Sequence, residues 1–225
     1  MYLKILRGGK IWSKRRMKSV KGIDLSQWNT VKDYAAIKAA GYDFAIIRAV
    51  GSSSGKRYHD KSFVKHYDGC TKAGLHLGAY AFFQPHLSGY NALDDALYFL
   101  DTFAAKMHFD MPVYLDVEKW IRDKKNNTKY VVEFMETLEK RGFFAGVYGS
   151  DISTFHDLVY KDELKPYSWW VARYGKQPNY ATLNCHMWQK TDTGKVSGII
   201  GNVDINDCYK NFPEIIERNH LNIRK

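Results

Sequence analysis

From residue 22 onward, short apolar strands alternate with amphipathic helices, and this rhythm constrains the fold more than any other feature of the chain. Residues 22–28 read as a strand, and 31–40 as a helix with Tyr34, Ile37 and Ala40 on one face, closed by Gly41. A second strand, Phe-Ala-Ile-Ile-Arg-Ala-Val at 44–50, runs into a Ser/Gly loop at 51–55. The spacing predicts a helix over 63–73, a strand over 77–83 and a long amphipathic helix over 92–107 carrying Leu93, Ala96, Leu97 and Leu100 on its apolar face. A strand over 113–117, a helix over 128–140 and a strand over 143–148 continue the pattern, with glycines where helices should stop. Alternation of this regularity argues for parallel strands joined by right-handed crossovers.

After residue 150 the rhythm changes. A helical piece over 152–164 is followed by strands at 169–174, 186–189 and 203–205, with gaps too short for full crossover helices. Five strand–helix units and three further strands predict an α/β fold: an abbreviated, TIM-like (β/α)5(β)3 barrel in a single domain. At 225 residues the chain is shorter than the about 250 typical of a regular eightfold barrel. The expected organisation is a basic N-terminal tail over 1–21, a barrel over 22–212 and a C-terminal tail over 213–225, with a short closing helix near its start.

The formal charge of +10 resembles a nucleic-acid signature until it is located. Residues 1–21 hold eight basic residues and no acid, which leaves 26 basic against 24 acidic residues over 22–225. The body is nearly neutral, so no nucleic-acid partner is expected. The basic segment is either a plain leader or a device for holding phosphate-rich polymers, an anionic wall or a membrane surface. It has no apolar core of the kind a Sec signal requires, so Sec export is not expected, and a target outside the cytoplasm would call for another route of delivery. No stretch approaches the ~20 apolar residues of a membrane span. Cys70, Cys185 and Cys208 are odd in number and lack metal-ligand spacing, so free buried thiols, no metal and no cofactor are expected. A monomer is expected.

The chemistry concentrates in Met-Pro-Val-Tyr-Leu-Asp-Val-Glu, residues 111–118. On a strand, Asp116 and Glu118 share one face, with Cα atoms roughly 6–7 Å apart. Aiming two acids at one point carries a desolvation and repulsion cost that glycoside hydrolysis, with its paired carboxyls, would explain. In parallel barrels functional groups gather at the C-terminal strand ends. Asp24, Asp116, Glu118 and Asp204 are placed toward such a mouth, although Asp24 and Asp204 each also fit a turn or cap role. Trp28, Tyr80, Phe82, Tyr148, Trp170, Tyr174, Trp188 and Gln189 are the candidate sugar-binding residues. Strand alternation sets Trp170, Ala172 and Tyr174 against Trp169, Val171 and Arg173, and the first set is expected to line the barrel. Asp60 is assigned to structure.

These segments together are similar to a known family. Gly-Ile-Asp-Leu-Ser-Gln-Trp-Asn (22–29), Phe-Ala-Ile-Ile-Arg-Ala (44–49), Asp60 with Phe63, and Ala-Gly-Leu-His-Leu-Gly-Ala-Tyr (73–80) open the match. Leu-Asp-Val-Glu (115–118), Val-Tyr-Gly-Ser (147–150), Trp-Val-Ala-Arg-Tyr (170–174), Trp-Gln (188–189) and Val-Asp-Ile-Asn (203–206) complete it. In this order they resemble glycoside hydrolase family 25, the Chalaropsis-type lysozymes of bacteria and phages. The resemblance implies a (β/α)5(β)3 barrel that cleaves the β-1,4 bond between N-acetylmuramic acid and N-acetylglucosamine in peptidoglycan. It implies Glu118 as general acid and Asp24, Asp116 and Asp204 as the other carboxylates, and it suits a phage endolysin. Ala81, where the family often has His or an aromatic, is a departure that touches only the groove wall. Like-charge crowding is expected to raise at least one of these pKa values. Retaining, inverting and substrate-assisted routes stay open, with the last favoured. The rivals are a non-catalytic carbohydrate-binding barrel, a metal-dependent hydrolase and a nucleic-acid binder.

Overall fold

The computed structural model describes residues 19–89, 91–102, 106–179 and 184–222. In chain order its strands are β1 (Val20–Leu25), β2 (Thr30–Val31), β3 (Phe44–Ser53), β4 (Lys56–His59), β5 (His76–Phe82) and β6 (Val113–Asp116). They continue with β7 (Ala145–Ser150), β8 (Ser168–Ala172), β9 (Cys185–Gly194), β10 (Ile199–Ile200) and β11 (Val203–Cys208). Eight of them close a ring in the order β1, β3, β5, β6, β7, β8, β9, β11. Neighbours from β1 through β9 are parallel. β11 runs antiparallel to both β9 and β1, with Asp24 directly opposite Asp204. This reversal matters for the site: the N-terminal end of β11 lies at the mouth where the parallel strands have their C-terminal ends.

Helices α1 (Tyr34–Ala39), α2 (Phe63–Lys72), α3 (Ala92–Thr102) and α4 (Lys124–Lys140) lie on the connections between successive parallel strands. The fifth connection, β7 to β8, carries a π-helical turn at Ser153–Leu158 and a 3-10 turn at Lys161–Leu164. Strand alternation sorts the core into two layers. Ile23, Ile47, Leu115, Val147, Trp169 and Val171 point outward, against the helices. Phe44, Ile46, Tyr114, Trp170 and Met187 fill the ring. Gly146 makes room for one of these fillers, since a Cβ there would stand 2.5 Å from the Tyr114 ring. α5 (Phe212–Arg218) closes the opposite mouth with Phe212 and Ile216. Asn222 locks it, accepting from Phe144 N at 2.7 Å and donating to Met111 O at 3.0 Å.

The eight-stranded α/β ring is the expected fold. Several boundaries differ. The expected loop at 51–55 is a hairpin turn, with β4 pairing antiparallel to the end of β3. α4 begins four residues early, because the Asp123 side chain accepts from Asn126 N at 3.1 Å and caps it. The barrel starts at Val20 within the expected tail, and residues 213–222 are packed against the barrel floor instead of trailing from it. Residues 1–18 and 223–225, to which the remaining tail expectations refer, lie outside the described residues, as do 103–105 of the expected long helix. Cys70, Cys185 and Cys208 are buried free thiols. Among the described residues no helix is long and apolar enough to cross a membrane.

Candidate active site

Four carboxyl groups from three strands converge at the open mouth. Asp24 comes from β1, Asp116 ends β6, Glu118 follows two residues on, and Asp204 stands near the start of β11. They line a cleft of about 400 Å³ together with Ser26, Trp28, Asn29, Arg48, Tyr80, Phe82, Lys119, Tyr148, Trp170, Tyr174 and Gln189. A second cavity of about 310 Å³ lies at the closed mouth, but the only acid that lines it among the described residues, Asp43, is paired with Lys38. Lys119, directly after Glu118, has a left-handed backbone with φ of 57°. A non-glycine residue adopts this at a cost, and here the strained residue stands at the cleft itself, three residues beyond the end of β6.

Burial dominates the electrostatics. It lifts Asp116 well above the usual carboxylate range, with Glu118 and Asp24 adding repulsion against the pull of Arg48 and Lys119. It raises Glu118 too, opposed by a hydrogen bond from Tyr148 and by Lys119. Asp24 is raised by burial against hydrogen bonds from Asn206, Gln189 and Asp204. Asp204 is pushed up to about 9, first by burial and then by the Asp24 charge to which it donates. The pKa shifts expected from like-charge crowding are present, but desolvation is their first cause.

Asp24 Oδ2 accepts from Gln189 Nε2 at 3.0 Å and from Asn206 Nδ2 at 2.9 Å. Asn206 in turn accepts from the Trp170 indole at 2.8 Å. Asp116 has no such support: its Oδ1 is buried with no partner among the described residues, as is Nη2 of Arg48. Arg48 is tied to the buried Asp60 at 2.7 Å, and Asp60 also accepts from Gln27 N and Ser62 N, each at 2.9 Å. Asp60 thus serves the structure, fixing both Arg48 and the loop that carries Trp28.

The aromatic residues divide by exposure. Trp28, 79% exposed, and Tyr174, 50% exposed, stand at the rim. Tyr80 and Phe82 are half-buried in the cleft wall. Trp170 is on the ring side, as alternation predicts, but is only 1% exposed and packs edge-on against Tyr80 and Tyr114, so it forms the floor. Trp188 does not reach the cleft. Its neighbour Gln189 faces inward, so Trp188 faces out, packs on the outer layer and donates to Arg173 O at 2.7 Å. Arg48, Lys119, Ser26, Asn29 and Asn206 were not singled out from the sequence. A lone arginine in the apolar run 44–50, two residues from inward Ile46, and Asn206, two from Asp204, carried the alternation signal that finds them. No group of three or more His, Cys, Asp and Glu among the described residues is arranged to hold a metal ion.

The sequence profile of the glycosyl hydrolases family 25 matches residues 23–199. Among curated relatives, YegX of Escherichia coli is 31% identical over 197 residues, covering 84% of this chain and 69% of its own length. The autolytic lysozyme of Clostridium acetobutylicum is 27% identical over 193 residues, covering 84% of this chain and 55% of its own. Among solved structures, the CTP1L endolysin superposes with a TM-score of 0.74 at 26% identity, covering 88% of this chain and 70% of that one. A family 25 glycosyl hydrolase from Bacillus anthracis shares the fold with a TM-score of 0.74 at 23% identity, covering 96% and 100% of the two chains. With the profile spanning most of the chain and laid over a cleft of converging carboxyls, this protein belongs to glycosyl hydrolases family 25 and is a glycoside hydrolase of the lysozyme type.

Proposed function

We propose that this chain hydrolyses peptidoglycan at the β-1,4 bond between N-acetylmuramic acid and N-acetylglucosamine, with Glu118 as general acid. The glycosidic oxygen leaves poorly unless protonated, so one carboxyl must hold a proton at working pH. Glu118 suits this role because its pKa is raised by burial while it remains partly accessible at the cleft surface. It gives its proton to the leaving oxygen as the C1–O bond breaks, and positive charge develops on the sugar ring. In this reading Asp24 and Asp116, as carboxylates, stabilise that charge.

In the substrate-assisted route that we favour, the acetamido oxygen of the bound sugar attacks C1. Asp116 Oδ1 accepts from the amide N–H and orients it. That assignment is supported by the unpartnered acceptor at this atom; burial raises this carboxyl, and Arg48 and Lys119 oppose that rise. Water then opens the cyclic intermediate, giving its proton to ionised Glu118 and restoring the acid. Trp28 and Tyr174 supply exposed rings for stacking sugars, with Tyr80 and Phe82 behind them.

The converging carboxyls with Glu118 at the surface carry this reading. In a wall-lysis assay, Glu118→Gln is expected to abolish turnover while leaving the fold intact. Mass spectrometry of the wild-type digest should find fragments ending in reducing N-acetylmuramic acid. Persistent lysis by the variant, or reducing N-acetylglucosamine ends, would overturn it. A pure binding role predicts equal behaviour of the two proteins.

We place the enzyme as a phage endolysin, in keeping with its likeness to CTP1L. Lysis from within should then require permeabilisation of the inner membrane. Retention on anionic wall polymers through the basic residues 1–21 belongs to the same reading, and equal low-salt lysis rates after their deletion would refute it.

A further inference from the structure

Gln189 was expected to touch sugar, but its surroundings leave it no capacity to do so. It is 1% exposed on β9, flanked in register by Ala172 of β8 and Asn206 of β11. Its amide has two donor hydrogens, given to Asp24 Oδ2 at 3.0 Å and Asp204 Oδ2 at 3.1 Å. Its carbonyl has two lone pairs, taken by the hydroxyls of Tyr148 at 2.8 Å and Tyr174 at 3.2 Å. Every side-chain valence is used within the protein. Two carboxyls on one side and two phenols on the other also fix which way the amide points.

The Tyr148 hydroxyl is the pivot of this arrangement. It donates to Gln189 at 2.8 Å, and it lines the same cleft as Glu118, whose pKa it lowers as a hydrogen-bond partner. A phenol has one hydrogen. While that hydrogen is on Gln189, the Tyr148 oxygen is free to accept from protonated Glu118. Once Glu118 has lost its proton, the hydrogen can swing to the new carboxylate, and Gln189 keeps its bond from Tyr174.

We propose that Gln189 is a positioning residue that holds the Tyr148 hydrogen away from Glu118, so that Glu118 keeps its proton until the leaving oxygen takes it. This rests on Glu118 being the acid. Gln189 also links that hydroxyl to the Asp24–Asp204 pair, so the acid and the carboxyls opposite share one hydrogen-bond chain. The other groups facing Glu118 are Asp116 and Lys119 beside it, Asp24 from β1, Asp204 from β11 and Tyr174 after β8.

The test is the pH dependence of kcat on solubilised glycan strands, using the full chain. Gln189→Met frees the Tyr148 hydrogen for the carboxylate, so the alkaline limb should move down by roughly one pH unit, the difference between a neutral and a charge-assisted bond. KM should stay within about twofold, since no sugar contact is lost. In a Tyr148→Phe background the same substitution should move the limb no further. An unmoved limb, a further shift in that background, or a raised KM with unchanged kcat overturns the proposal.

Should Gln189→Met fail to fold, Tyr174→Phe serves instead. Relieved of Tyr174, the Gln189 carbonyl holds Tyr148 more tightly, and the limb should rise; no shift or a fall refutes the idea. Activity surviving in Glu118→Gln would instead reject the assignment of the acid, a separate failure.

Discussion

Removing the Asp60 carboxylate should destabilise the fold sharply, although no sugar is expected to touch it. Its side chain is fully buried and ion-paired to Arg48, which is itself 9% exposed at the side chain. Asp60→Ala leaves the guanidinium charged and nearly dry, with its ion-pair partner gone and Nη2 already without one. Breaking a buried pair in this way costs about 3–5 kcal/mol. The amides of Gln27 and Ser62 lose an acceptor too, but they are only partly buried and regain water, adding less than about 1 kcal/mol. The ion pair therefore decides the magnitude. Urea unfolding should show a loss of about 4 kcal/mol, and for a chain of this size Tm should fall by roughly 6–20 °C. Replacing both partners, Arg48→Met with Asp60→Leu, should cost less than the single change, because no charge is stranded. A single-variant loss below about 1 kcal/mol, or a double variant as damaged as the sum, would refute the reasoning.

Asp204 makes a pH prediction. Between its ordinary value of 3.8 and its folded value of about 9, the native state holds a proton that the unfolded chain has released. Stability therefore falls as pH rises through that window, and Asp204→Asn should flatten the fall by more than about 1 kcal/mol between pH 5 and 9 in denaturant titrations. Lys119 lowers the pKa of Glu118, so Lys119→Met should move the alkaline limb of the kcat profile upward; a downward shift contradicts the charge assignment. Trp28 packs little, so Trp28→Ala should change unfolding free energy by less than about 0.5 kcal/mol while raising KM, and an unchanged KM removes it from the groove.

The ring itself was legible because its strands are apolar and β-prone, and a buried strand must be. β4 was not, since Lys-Arg-Tyr-His at 56–59 has the composition of a loop and becomes a strand only by pairing with the end of β3. The start of α4 hid for the same reason: Lys-Lys-Asn-Asn is a weak helix former, held by the Asp123 cap. At the site, the four carboxyls were readable from strand ends. Trp188 was misplaced although the information was present, because adjacent residues cannot both face the ring and Gln189 has the stronger claim. What the sequence could not carry was depth. Asp24 and Asp116 are raised mainly by desolvation, and Trp170 is a floor instead of a platform, and both facts depend on how far the ring closes over them.

Whether Glu118 holds a proton to give can be read from a carboxyl-carbon NMR titration of the wild type against Glu118→Gln. The resonance lost in the variant should titrate above the ordinary glutamate value of about 4.3, because burial raises this carboxyl. A resonance that titrates at or below that value would mean that Glu118 is already ionised when the leaving oxygen needs its proton, and the assignment of the acid would be contradicted.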